Sequence, residues 1–171
     1  VRDGLDVFTP AVRRTPPESL DPNIKSHNYL NLVLADLEVR DRSSHAWAVL
    51  LDTRGYLCEG IGSNIFLVKD DVVFTPDAQY VLAGVSRQVV IELALAEGFE
   101  VRETDLTVID AAESDEAFIT STSFCICPVR TYDGVTLGVS QAPGPVTQRL
   151  SEAFAGEVGH DFVSQYLQAL D

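Results

Sequence analysis

The chain has 171 residues, 46% of them apolar and 22% charged, with a formal net charge of −14. That length suits one ordinary domain with its own core, and the charged fraction argues against disorder. The negative charge argues against nucleic acid or an anionic membrane surface as a partner, because phosphate contacts depend on Lys and Arg. No apolar run reaches a membrane span, and the expected location is the cytoplasm. The opening "VRDGLDVFTP" reads as a strand entering mid-structure and lacks an initiator Met, so a preceding segment is expected. Pro16, Pro17 and Pro22 force extended geometry on "TPPESLDP", which makes residues 1–22 a short strand followed by a linker. From Ser26 onward, Tyr29, Leu30, Leu32, Val33, Leu37 and Val39 recur at helical spacing, as in a buried helix.

A strand-rich block follows. "AWAVLLD" (46–52) and "YLCEG" (56–60) are apolar runs, and "SNIFLV" (63–68) and "VVFTP" (72–76) form a hairpin across "KDD". Lys69 lies in that turn as a solvated residue. "RQVVIELALAEG" is a helix with Ser86 as its N-cap and Gly98 at its C-terminus. "EVRETDL" is a strand, "TVIDAAES" a short helix and "EAFITSTS" a strand. "ICPVRTYDGVTLG" is a hairpin turning at Asp133-Gly134. "GPVTQRLSEAFAGEVG" is a helix with Pro145 in its first turn, and "HDFVSQYLQAL" is a final short helix. Hairpins and separate helices together indicate an α+β fold.

The cysteines are Cys58, Cys125 and Cys127, an odd count with no framework spacing, and they read as reduced core thiols. Cys125 and Cys127 stand two apart in a strand and should share one face. No metal site is expected.

Several stretches carry chemistry. The chain has only two lysines, Lys25 and Lys69. Lys25 sits between a Pro-rich approach and an apolar helix, where helix N-termini disfavour cations. It reads either as a snorkelling side chain or as an amine for Schiff-base chemistry, which needs desolvation. In "CEGIGSN", Glu59 ends an apolar strand. It is either solvated in a turn or faces a pocket that Gly60 and Gly62 let a ligand approach, with Asn64 holding the loop or the ligand. "LAGVSRQ" (82–88) offers the N–H groups of a helix N-terminus to an anion, and Arg87 would add charge if it turned inward. "TSTS" (120–123) is either a solvated turn or a set of hydroxyl and amide donors.

Taken in this order, the set resembles the class IV (fold type IV) aminotransferases that use pyridoxal 5'-phosphate. That family includes branched-chain aminotransferases, D-amino acid aminotransferases and aminodeoxychorismate lyases. The resemblance runs from about Pro16 to Leu150, and "GPVTQRL" fits it too. It implies the large C-terminal, cofactor-binding domain of the D-amino acid aminotransferase-like fold at residues 23–171, a mixed sheet with a barrel-like core and flanking helices. The family's smaller N-terminal domain, which supplies pocket residues and a phosphate-binding Arg, has no counterpart in these residues.

By the same resemblance, Lys25 forms the Schiff base and moves the substrate Cα proton, at the desolvated floor of the pocket. Tyr29 bonds the cofactor's phenolic oxygen, and Glu59 faces the pyridine nitrogen. Gly84, Val85 and Ser86 form the phosphate-gripping turn, and Thr122 is a second phosphate donor. Leu82 packs on the ring, and Asn64 lines the pocket. The Thr122 and Ser123 amides reach the substrate carboxylate. The implied reaction moves an amino group between an amino acid and a 2-keto acid, in a homodimer. "NYL" points to branched-chain substrates. A lyase acting on a chorismate-derived amine, a D-amino acid or amine transaminase, and a non-catalytic acidic module are the alternatives.

Overall fold

The computed structural model describes residues 3–43, 46–138 and 142–168. In chain order the elements are β1 (Leu5–Phe8), α1 (Leu30–Arg40), β2 (Ala46–Leu51), β3 (Leu57–Gly60), β4 (Ser63–Lys69), β5 (Val72–Thr75), α2 (Val85–Ala96), β6 (Glu100–Glu103), α3 (Val108–Ala112), β7 (Glu116–Ser121), β8 (Cys125–Tyr132), β9 (Val135–Thr136), α4 (Pro145–Val158) and α5 (Phe162–Gln168). The start of the expected first strand (Val1, Arg2) and the end of the expected last helix (Ala169, Leu170) lie outside the described residues. Among the described residues the strands form one nine-stranded sheet in the order β3-β2-β1-β8-β7-β4-β5-β6, with β9 on β8. β3 also pairs with β4, so β3-β2-β1-β8-β7-β4 closes on itself as a barrel. β1 runs parallel to both neighbours, whereas the hairpin pairs are antiparallel. The fold is the expected α+β arrangement with a barrel-like core.

Alternation along the strands divides the core. Val7, Val49, Leu57, Ile65, Leu67, Ile119 and Val129 belong to one cluster that draws on every strand of the ring, and so fills the barrel. Phe66, Val68, Val73 and Phe118 point the other way, beneath α2 and α4. Phe66 and Phe118 are cross-strand partners whose rings stack 4.9 Å apart at 7°. Leu32, Ala35 and Val39 of α1 pack on Ala46, Ala48 and Leu50 of β2.

Several sequence expectations need correction. The helix that the apolar spacing starts at Ser26 begins at Leu30, because His27 takes a left-handed φ of 60° and interrupts the helical path. α1 is not a buried helix. It buries Leu32, Ala35 and Val39 but leaves Leu30, Val33, Leu34 and Leu37 exposed, since apolar spacing does not say which face is covered. Cys125 and Cys127 do not share a face. Cys125 has φ 58°, which breaks the pleat, so Cys127 enters the barrel cluster while Cys125 packs on the outer one. All three thiols are free.

The helix ends have local causes. α2 stops where Gly98 adopts φ 87°, with Phe99 N–H donating to the Ala94 carbonyl (2.9 Å) and Gly98 N–H to Leu95 (3.1 Å). α4 starts with Gly144 as N-cap and Pro145 just inside. Its first-turn amides are met from another strand: Glu116 accepts from Val146 N–H at 2.9 Å and from Thr147 N–H at 2.8 Å. Among the described residues no helix is long and apolar enough to cross a membrane, and no cluster of three or more His, Cys, Asp or Glu could hold a metal ion.

Candidate active site

The site is built on the hairpin that closes the barrel. Glu59 on β3 and Asn64 on β4 are Cα partners across the turn, so their side chains emerge on one face. Both are buried. Glu59 accepts from Leu82 N–H at 2.9 Å, and Asn64 Nδ2 donates to the Leu82 carbonyl at 2.9 Å. The loop entering α2 is thereby fixed through its backbone. A Cβ on Gly84 would collide with the Asn64 side-chain oxygen, so only glycine lets the loop come this close.

α2 starts at Val85 with Gly84 as N-cap and no side-chain cap. Ser86 is therefore the second residue of the helix, not the N-cap that its hydroxyl suggests; the glycine two residues earlier takes the extended cap geometry. Gln88 N–H makes the first helical bond, to the Gly84 carbonyl at 2.9 Å, so the amides of Val85 and Ser86 face out of the helix end. Arg87 does not turn inward. Its guanidinium donates to the Pro76 carbonyl (2.9 Å) and pairs with Glu103 (2.6 Å). The positive end of the cleft is thus made by amides and hydroxyls.

These groups line one open cleft of about 250 Å³, together with Lys25, Tyr29 and Thr122. Lys25 lies in an irregular stretch before α1 and is exposed, so this chain does not supply the desolvation expected of it. Tyr29 is the N-cap residue of α1 and stacks on His27, with ring centroids 5.7 Å apart. Burial pushes the Glu59 carboxyl up from its ordinary range; the Arg14 guanidinium, the Leu82 amide and the charge of Lys25 oppose that shift. Ser123 stands apart from the other candidates. It lies outside the cleft lining, and its amide donates to Ser121 Oγ at 3.1 Å.

The structure adds residues that sequence reasoning passed over. Arg14, read as linker, pairs with Glu59 at 2.7 Å. Asn23 accepts from Ala83 N–H at 3.2 Å and ties the Lys25 approach to the α2 loop. Thr120 belongs to the hydroxyl run that the sequence already offered as donors, and it lines the cleft with a buried hydroxyl that has no partner among the described residues. The available signal was Arg14 itself, a cation just ahead of a Pro-rich run, but no local pattern links it to a carboxylate 45 residues away.

The family model described as amino-transferase class IV matches residues 2–132. A putative branched-chain-amino-acid aminotransferase of Methanocaldococcus jannaschii is 44% identical over 153 residues, 89% of this chain and 52% of the relative. The branched-chain-amino-acid aminotransferase of Escherichia coli K12 is 37% identical over 158 residues, 91% of this chain and 50% of the relative. The crystal structure of an E. coli branched-chain aminotransferase superposes with a TM-score of 0.86 at 37% identity, over 90% of this chain and 52% of that one. A T.th. branched-chain aminotransferase complexed with N-(5'-phosphopyridoxyl)-L-glutamate gives 0.86 at 33% identity, over 93% and 53%. The chain spans about half the length of the relatives it matches. A match to the family model across most of the chain, on a fold type IV architecture, makes this chain a member of the class IV aminotransferase family.

Proposed function

We propose that the protein is a pyridoxal-phosphate-dependent transaminase that moves an amino group between a branched-chain amino acid and a 2-keto acid. The observation that carries this reading is one cleft holding an amine (Lys25), a buried carboxylate (Glu59) and an uncapped helix N-terminus (Val85, Ser86). Those groups are complementary to a phosphorylated pyridine aldehyde at its carbonyl, its ring nitrogen and its phosphate. The orphaned Thr120 hydroxyl, a donor without a partner among the described residues, also fits a polar ligand in the same cleft.

When bound, pyridoxal phosphate supplies an electron sink that weakens the Cα–H bond of an amino acid. Lys25 would hold the cofactor and then carry the proton at the substrate's Cα. Glu59 would keep a proton on the ring nitrogen, and Tyr29 would hold the phenolic oxygen. Val85, Ser86, Gly84 and Thr122 would grip the phosphate, while Leu82 and Asn64 shape the ring's seat. The branched-chain preference is supported by the names of the relatives. We also propose a homodimer, supported by the exposed Ile24, Leu30, Val33, Leu34 and Leu37 beside the cleft.

The test is direct. Pyridoxal phosphate is added, the protein is reduced with borohydride and digested, and the labelled peptide is identified by mass spectrometry. Label on Lys25 is expected; no label, or label on Lys69 alone, would overturn the reading. Amino transfer from Leu, Ile or Val to a 2-keto acid then tests the substrate class, against D-amino acids and against pyruvate release from a chorismate-derived amine.

A further inference from the structure

Arg14 belongs, by sequence, to an approach segment, yet its guanidinium is delivered into the site. Nε donates to Glu59 Oε1 at 2.7 Å, and the side chains are only 11% and 6% exposed. Exposed ion pairs contribute little, but this one is shielded from solvent and salt.

The backbone on either side of Arg14 is pinned. Arg14 N–H donates to the Leu51 carbonyl of β2 at 2.8 Å. Thr15 N–H donates to Asn31 Oδ1 at 3.1 Å, and Asn31 Nδ2 donates to the Arg13 carbonyl at 2.7 Å. Asn31 lies on α1, so the segment is held by a barrel strand and a helix at once, and the guanidinium has a fixed origin.

Glu59 is therefore oriented from two directions, by Arg14 on Oε1 and by the Leu82 amide on Oε2. Each carboxylate oxygen has two acceptor sites, so each keeps one for a donor in the cleft. The other charged group acting on Glu59 is Lys25, whose charge favours the ionised carboxylate; the thiol of its strand neighbour Cys58 points to the opposite face and donates to the Tyr80 carbonyl.

We infer that Arg14 is a positioning residue for the cofactor: it keeps the buried Glu59 ionised and holds its free acceptor sites toward the cofactor's ring nitrogen. The inference rests on the function proposed above. Its physical reason is that a buried carboxylate without a counter-cation takes up a proton, and the ring nitrogen would then lose its anionic partner.

The test uses the full-length protein loaded with pyridoxal phosphate, comparing wild type with Arg14→Gln, Arg14→Lys, Glu59→Gln and the Arg14→Gln/Glu59→Gln pair. In Arg14→Gln, Lys25 should still take the borohydride label at saturating cofactor. Cofactor affinity by equilibrium dialysis should fall on the order of tenfold or more, as when one member of a buried pair is removed. The pH at which the bound cofactor's absorbance changes should move by about a unit, and kcat of the amino-acid half-reaction should fall more than KM changes. Arg14→Lys should recover part of each effect. In the Glu59→Gln background, Arg14→Gln should cost nothing further.

The inference is overturned if Arg14→Gln lowers the denaturation midpoint but leaves affinity and the absorbance–pH profile at wild-type values, or if its effect adds in full to that of Glu59→Gln. Should Arg14→Gln fail to fold, Arg14→Lys decides by the same affinity and pH readouts. Failure of wild type to label at Lys25 is a separate result that removes the cofactor reading and Arg14's role with it.

Discussion

Glu59 and Asn64 face each other across the β3–β4 hairpin and hold Leu82 from opposite sides, one by its N–H and the other by its carbonyl, each at 2.9 Å. Replacing Asn64 with Ala removes a buried donor and should lower stability by about 1–2 kcal/mol. Urea denaturation measures that loss. Dialysis should show weaker cofactor retention in the same variant, because the loop leading into α2 is no longer fixed.

Lys25→Ala should separate chemistry from stability. The side chain is exposed, so the denaturation midpoint should correspond to a change within about 0.5 kcal/mol. Borohydride labelling and amino transfer should both be lost. Retained transfer would show that another amine does the work.

Glu116 caps α4 from a neighbouring strand, with one oxygen on Val146 N–H and the other on Thr147 N–H. Glu116→Ala should cost roughly 2–3 kcal/mol, from two charge-assisted bonds near the positive end of a helix. Glu116→Gln should be nearly as damaging, since its amide group would face one of those N–H donors. Thermal unfolding of the two variants checks the ranking.

Asp115 accepts from Asp70 N–H and from Lys69, which together hold its carboxyl below the ordinary value of 3.8. Its folded-state pKa is the lower one, so its contribution to stability is present above that ordinary value and is lost as the pH falls through the folded value. Asp115→Asn should therefore lower the denaturation midpoint at neutral pH and flatten its decline in acid. An unchanged acid limb would assign that decline to other carboxylates.

What the sequence made legible was local. The β4–β5 and β8–β9 hairpins follow from alternation and from "KDD" and Asp133-Gly134, and Gly98 and Pro145 mark helix ends by their own backbone preferences. The site residues other than Ser123 meet in one cleft, and it was their order along the chain that suggested them. What was not legible depends on distant partners. The ring needs β1 between β2 and β8, and β4 against β7, pairings between strands far apart in the chain whose apolar runs look alike. Glu116's cap and Arg14's pairing join segments remote in sequence. The N-cap of α2 is Gly84, not Ser86, at a place where Asn64, brought in from β4, leaves no space for a Cβ. Left-handed geometry at His27 and Cys125, neither of them glycine, leaves no mark in an apolar pattern.

The closed barrel divides the cleft into two mechanical classes. Glu59 and Asn64 ride on the hairpin that completes the ring, so moving them means opening the ring, and their amide hydrogens should exchange with solvent only when the whole domain unfolds. Lys25 rides on an exposed, irregular stretch tethered to the α2 loop by Asn23, and amides 24–28 should exchange from the native state. Under the proposed function, the group that would carry the proton is the one able to travel, while the groups that would stabilise charge keep their positions.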